Sequence, residues 1–241
     1  ALNMFNGTFC TYGGEVDAQL VASTKMIDRG KELGVYAKLL VGPGMGHRFH
    51  PDSYKEFMAF HTARSKAGRL RFPGRKQIRF VTWTLKYNKC EWLTIEEMVE
   101  PYKETLAEGG VDDAGVLSLT TQNISALKIT RDVADSVELD GATLPLRSAA
   151  GDLLPDVYFE KVDNSWELLS YENSISFADN PLVHKRHNLQ GPIDDAFMDR
   201  FVMVTPSGRP GRSRPDRWIR REQGRLEKEW RDQFRGEPLS V

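Results

Sequence analysis

The sequence predicts a mixed α/β chain in three parts: a parallel βαβ unit over residues 1–67, a β-rich, sandwich-like region over 68–180, and a short α/β tail over 181–241. Three observations predict it. Strand, helix and strand patterns follow one another at the start, the order of a right-handed parallel crossover. Near Gly68 helical periodicity gives way to short β-forming runs separated by turn residues. After residue 200 an apolar run and an amphipathic helix return.

Residues 3–12 are rich in aromatic and β-forming types and end at Gly13-Gly14, which predicts a strand entering a sharp turn. A helix follows over about residues 16–33, with Ala18, Val21, Ala22, Met26, Gly30 and Leu33 recurring at three- and four-residue steps. Gly34 stands where a helix C-terminal glycine belongs. Residues 35–41 form a second, largely apolar strand, broken by Gly42-Pro43-Gly44. A second helix is expected over 51–67.

The first boundary falls where Gly68, Pro73 and Gly74 lie among Arg64, Lys66, Arg69, Arg71, Arg75 and Lys76. Beyond it, residues 78–87 alternate as a strand, and 116–119, 126–130, 136–139 and 157–161 read as further strands. Asp140-Gly141 joins 136–139 to 142–146 as a two-residue hairpin. Residues 96–108 fit either a helix or a strand with a following turn. In the tail, residues 201–204 read as a short strand, 205–215 as a loop crowded with Gly, Pro and Arg, and 216–234 as a helix. Trp218, Leu226, Trp230 and Phe234 are expected to face the core, with no strand after the helix.

Bulk properties exclude several classes. Lys plus Arg total 33 against 34 Asp plus Glu, so a net charge of −1 gives no overall field for a nucleic acid. No apolar run approaches the ~18 residues of a membrane span, so no membrane partner is expected. Two cysteines, Cys10 and Cys90, are too few for a disulfide framework; they fit two buried free thiols better than a single bridge. The opening Ala1-Leu2-Asn3-Met4-Phe5 has neither an initiator Met nor a signal region, so further sequence is expected before it. Neither compartment nor oligomeric state is specified.

The chemistry-bearing constellation is Gly14-Glu15-Val16-Asp17 after the first strand and Gly44-Met45-Gly46-His47 after the second. Ligands of open α/β sheets meet the carboxyl ends of the strands. A carboxylate beside an imidazole fixes its tautomer and stabilises its protonated form, as a serine hydrolase requires of its base. In α/β-hydrolases the order along the chain is Ser, acid, His. Asp17 and His47 have that order and are 30 residues apart, about one helix plus one strand. Asp17 would equally cap the following helix as a plain turn residue, and Glu15 is a rival for the acid.

At these residues the chain resembles the prolyl-oligopeptidase-like (S9-type) hydrolases. Their acid lies in a strand-end Gly-x-x-Asp, matched by Gly14 and Asp17, and their histidine in a glycine-flanked Gly-His, matched by Gly46 and His47. Where much of the family has a His-Gly pair, this chain has Tyr12-Gly13-Gly14, a divergent pattern. Residues 188–197 are also similar to a segment of large bacterial proteins that carry such a domain. The resemblance implies that residues 1–67 are the C-terminal βαβ portion of an α/β-hydrolase fold, with Asp17 and His47 catalytic. It further implies a small acyl ester or peptide substrate, and no cofactor or metal. No Gly-x-Ser-x-Gly elbow occurs, and Ser23, Ser53 and Ser65 fall on helices or helix starts, so the serine and the oxyanion hole are expected upstream of Ala1.

Other groupings are weaker. His47 with His50, and His184 with His187, have no third ligand beside them, so no zinc site is expected. Asp194-Asp195 could bind a cation, but paired acids in a loop are more often solvated or capping the next helix. The run 209–235 mixes Arg with Glu and Asp, the pattern of a solvated helix face. Trp83, Trp92 and Trp166 are candidates for a sugar platform or for core positions. The competing reading is therefore a non-catalytic carbohydrate- or protein-binding β module joined to a remnant hydrolase segment.

Overall fold

The computed structural model describes residues 1–147, 154–180, 184–197, 200–205 and 213–241. By internal contacts the chain divides into two units, Ala1–Leu189 and Gln190–Val241.

The first unit opens with a 3-10 helix, Leu2–Asn6, where a strand was expected to begin. Asn3 and Asn6 give the reason. Side chains three apart eclipse in a 3-10 helix, and its ~6 Å rise over three residues nearly matches two residues of a β-strand. The Asn3 amide donates to Val81 O (2.7 Å) and accepts from Val81 N–H (2.8 Å). Asn6 makes the same pair with Arg79, at 2.7 and 2.9 Å. Two side chains thus stand in for a neighbouring strand.

Strand β1 (Phe9–Gly14) leads through helix α1 (Leu20–Glu32) to β2 (Ala37–Gly42), which pairs with β1 in parallel, Phe9 opposite Ala37 and Gly14 opposite Gly42. α1 starts later than its periodicity suggests, because residues 15–19 are spent on a turn. Its packed face shifts accordingly: Ile27 and Gly30 are buried, while Val21 and Met26, expected inward, are 53% and 47% exposed. Helix α2 (Pro51–Ala67) has the expected bounds, with His50 as N-cap, Pro51 in the first turn and Gly68 at its end. Successive strand residues face opposite sides. Thr11 meets Ser23 of α1 and Tyr12 meets His50 at the start of α2, so the two helices lie on opposite faces of the pair.

Ten strands follow: β3 (Gln77–Thr82), β4 (Lys89–Cys90), β5 (Leu93–Met98), β6 (Thr105–Val111), β7 (Val116–Gln122), β8 (Ile124–Thr130), β9 (Ser136–Leu139), β10 (Ala142–Pro145), β11 (Asp156–Val162) and β12 (Ser165–Leu168). They form two five-stranded sheets, ordered β10-β9-β7-β6-β3 and β12-β11-β8-β5-β4. Ile78, Leu117, Leu119 and Leu139 of one sheet and Ile95, Leu127, Ile129 and Phe159 of the other belong to a single buried core. Residues 96–108 resolve as the end of β5, a turn and the start of β6. β3 stops at Thr82 because Thr82 and Thr84 bond their own backbone and cap a 3-10 turn, Leu85–Tyr87. The Asp140-Gly141 hairpin is present, with φ of 49° and 92°. Helix α3 (Tyr171–Ala178) closes the β-rich region, at residues where no element was expected.

The compositional boundary at 67/68 lies inside the first unit, since the asparagine pairs bind the start of the chain to β3. In the second unit, β13 (Val202–Met203) and helix α4 (Ser213–Phe234) are followed by β14 (Leu239–Ser240), which pairs in parallel with β13. The expectation of no strand after the helix is thereby corrected: a two-residue strand is too short for a periodicity signal. Residues 206–212 of the expected Gly/Pro/Arg loop lie outside the described residues. On α4, Trp230 packs with Phe197, Phe201 and Phe234. Trp218 and Phe234, expected to face a core, are each 64% exposed. No helix among the described residues is long and apolar enough to cross a membrane.

Candidate active site

Gly13 and Gly14 bring the chain off the end of β1 with room for a second loop against it. A Cβ on Gly14 would overlap the carbonyls of Met45 and Gly46, so only glycine lets the residue 43–47 loop come this close. Backbone bonds fix that approach: Glu15 N–H donates to Gly42 O (2.9 Å) and Val16 N–H to Met45 O (3.0 Å). The Glu15 carboxylate accepts from Gly44 N–H at 2.8 Å, and Gly44 adopts φ of 63°. Glu15, the rival acid, therefore holds the loop and leaves the histidine to Asp17.

Asp17 Oδ2 lies 2.9 Å from His47 Nδ1. Its other oxygen accepts the Gln19 N–H at 2.9 Å, so the capping role and the histidine contact are carried by one carboxylate. These two hydrogen bonds, the Gln19 backbone bond foremost and His47 next, hold the Asp17 carboxyl below the usual aspartate range. With Asp17 ionised, Nδ1 carries the ring proton and Nε2 is the free acceptor. Asp17 is 13% exposed and His47 79%, and Nε2 has no hydrogen-bond partner among the described residues.

Tyr12, absent from the expected site, orders the other side of the loop. Its hydroxyl donates to Arg48 O and accepts from His50 N–H, both at 2.9 Å. Its ring stacks on Phe49, with centroids 4.1 Å apart. Three consecutive residues after His47 are thereby tied to β1. Tyr12, Phe49, Leu20 and Ser23 line a cleft of about 320 Å³ together with Asp17 and His47.

None of the described serines is hydrogen-bonded to His47. Ser23 Oγ is 3.0 Å from Thr11 Oγ1, Ser53 lies at the first turn of α2 beneath Val41 O, and Ser65 is exposed.

The remaining candidates are placed elsewhere. His50 Nδ1 accepts from Asp52 N–H as a helix cap, His187 Nδ1 is 2.8 Å from Leu85 O, and His184 lies 4.0 Å from Glu97. No group of three His, Cys, Asp or Glu that could hold a metal occurs among the described residues. Asp194-Asp195 lie in a 3-10 helix, Ile193–Phe197. Trp92 and Trp166 are core residues, 3% and 4% exposed, so two of the three indoles proposed as a sugar platform face inward; Trp83 is 49% exposed. Cys10 and Cys90 are free and half-buried, and burial pushes the Cys90 thiol up to about 11.

Comparison with family models, with curated proteins and with solved structures finds no match for this chain.

Proposed function

We propose that Asp17 and His47 are the acid and base of a serine-hydrolase triad of the prolyl-oligopeptidase-like kind, acting on an acyl ester or peptide. The observation that carries this reading is the carboxylate bound to Nδ1, with Nε2 open, on two loops at the carboxyl ends of paired parallel strands. The nucleophile in this reading is a serine from sequence preceding Ala1, presented to Nε2. Residues 1–67 are then the last part of an α/β-hydrolase sheet, whose other strands would join the edge of β1 that pairs with nothing among the described residues.

His47 Nε2 would take the serine proton during attack on the acyl carbon and return it to the leaving group. Asp17 would hold the ring in the required tautomer and stabilise the imidazolium. The Tyr12–Phe49 stack supplies an apolar wall beside the imidazole. No cofactor enters this chemistry.

The test is a protein containing the preceding sequence, treated with a fluorophosphonate probe. One serine should be labelled, and His47→Ala should lower turnover on the order of 10⁶-fold. Unchanged labelling and turnover in that variant would overturn the proposal.

A further inference from the structure

Between Glu56 and Glu91 the chain carries nine Lys or Arg and no Asp or Glu, in a protein whose total charge is −1. Some of these cations are neutralised by acids from elsewhere: Arg79 pairs with Glu108 and Lys76 with Asp113. The side chains of Arg69, Lys86 and Lys89 have no ion-pair or hydrogen-bond partner among the described residues.

Arg69, Arg75 and Lys89 border a cleft of about 550 Å³, closed by Asn6, Gly68 and Leu70, with Glu91 as the one acid on its lining. Its walls are held. The Trp92 indole, 3% exposed, donates to Arg75 O at 2.9 Å. Gly74, at φ of 84°, leaves room for Glu91, whose carboxylate forms a loose ion pair with Arg75 Nε at 3.9 Å, beyond hydrogen-bond length, so the guanidinium keeps its donors for a ligand. Lys89 also borders a second cleft of about 460 Å³, lined by Lys86, Lys128, His187 and Thr94 and by two acids, Glu96 and Asp156, the latter accepting from the Thr130 hydroxyl at 3.1 Å. There Lys128 is paired with Glu96 at 2.8 Å, which leaves Lys86 and Lys89 as the free cations. Both volumes are those of small-molecule sites rather than of a flat surface for a polymer or a bilayer.

We propose that these two clefts form one binding site for a small molecule carrying two or more phosphate-type oxyanion groups, with Lys89 between them. Guanidinium forks and ammonium groups with unused donors recognise such groups by charge-assisted hydrogen bonds. The site is independent of the Asp17–His47 pair.

The test titrates the whole chain at fixed ionic strength with orthophosphate, pyrophosphate and tripolyphosphate, read by calorimetry and amide chemical shifts. Tripolyphosphate should bind at least about tenfold more tightly than orthophosphate, because the second group binds intramolecularly. Arg69→Ala and Lys89→Ala should each weaken it about fivefold or more, and Lys25→Ala on α1 should leave it unchanged. Equal weak binding of all three anions, or insensitivity to both cleft variants, would overturn the proposal. So would tighter binding of a single-stranded oligonucleotide or of phosphatidylserine vesicles than of tripolyphosphate at these residues.

Discussion

Tyr12 shows how one hydroxyl can order the loop that carries a candidate site. Tyr12→Phe keeps the stack on Phe49 but removes both bonds to residues 48–50, one of which leaves a backbone donor to find water. Stability should fall by about 1–2 kcal/mol, and the His47 ring resonances should broaden. Sharp, unshifted His47 signals would mean that Glu15 and the glycine turns hold the loop alone. The pair at the centre of the site was legible in the sequence: Asp17 and His47 announce themselves through strand-end placement, glycine neighbours and chain order. Tyr12 and Glu15 were not. Their roles depend on which side-chain oxygen reaches a backbone group about thirty residues away, and no local pattern encodes that distance.

Among the elements, the β9–β10 hairpin joins the two sheets through Asp140. Its carboxylate accepts from Thr121 N–H, the Thr121 hydroxyl and the Trp166 indole, with Lys161 2.9 Å away. Burial alone would raise the Asp140 carboxyl, but these bonds outweigh it and hold the group below the ordinary range. A depressed folded-state pKa contributes stability above the ordinary aspartate range and loses it as pH falls through the folded value. Asp140→Ala should therefore cost about 1.5–3 kcal/mol at neutral pH, and the gap from wild type should close toward acid in denaturant titrations at successive pH values. A constant gap would show that the loss is one of packing. The same hairpin was legible from two residues, as α2 was from Pro51 and Gly68. α1 was misplaced because the turn that carries Asp17 shares the helix's periodicity, and β3 was overextended because Thr84 alternates correctly yet bonds its own chain. A further contrast follows from burial. β1 and β2 pair only with each other among the described residues, and α2 buries no side chain. Amides of β1 and β2 should exchange faster than those of β5 and β8, whose core residues are almost fully buried. Equal protection of the two strand pairs would contradict this.

For the whole molecule, the totals gave a net charge near zero, and the cations clustered around Gly68 in the sequence read only as a boundary, because the acids that balance residues 57–90 lie elsewhere in the chain. The joint between the βαβ unit and the sheets was hidden for a similar reason: asparagines in a predicted strand give no sign that they will serve as surrogate backbone. Asn3→Ala with Asn6→Ala removes four bonds to β3, and limited proteolysis within 68–76 should accelerate several-fold, releasing a stable fragment from about residue 77. Unchanged cleavage would show that Phe5 over Arg79, at 4.7 Å, suffices. The strand order carries a last consequence. β7 and β9 are parallel neighbours in one sheet while β8, between them in the chain, belongs to the other, and among the described residues β3 pairs only with β6. The chain is laced back and forth across the core, so neither sheet can be finished before the other is under way. On the ribosome, β8 has only half its partners until β11, residues 156–162, has emerged. Until then the nascent chain presents Leu127 and Ile129 to the cell's folding helpers, and a stall in translation just before β11 would expose them longest.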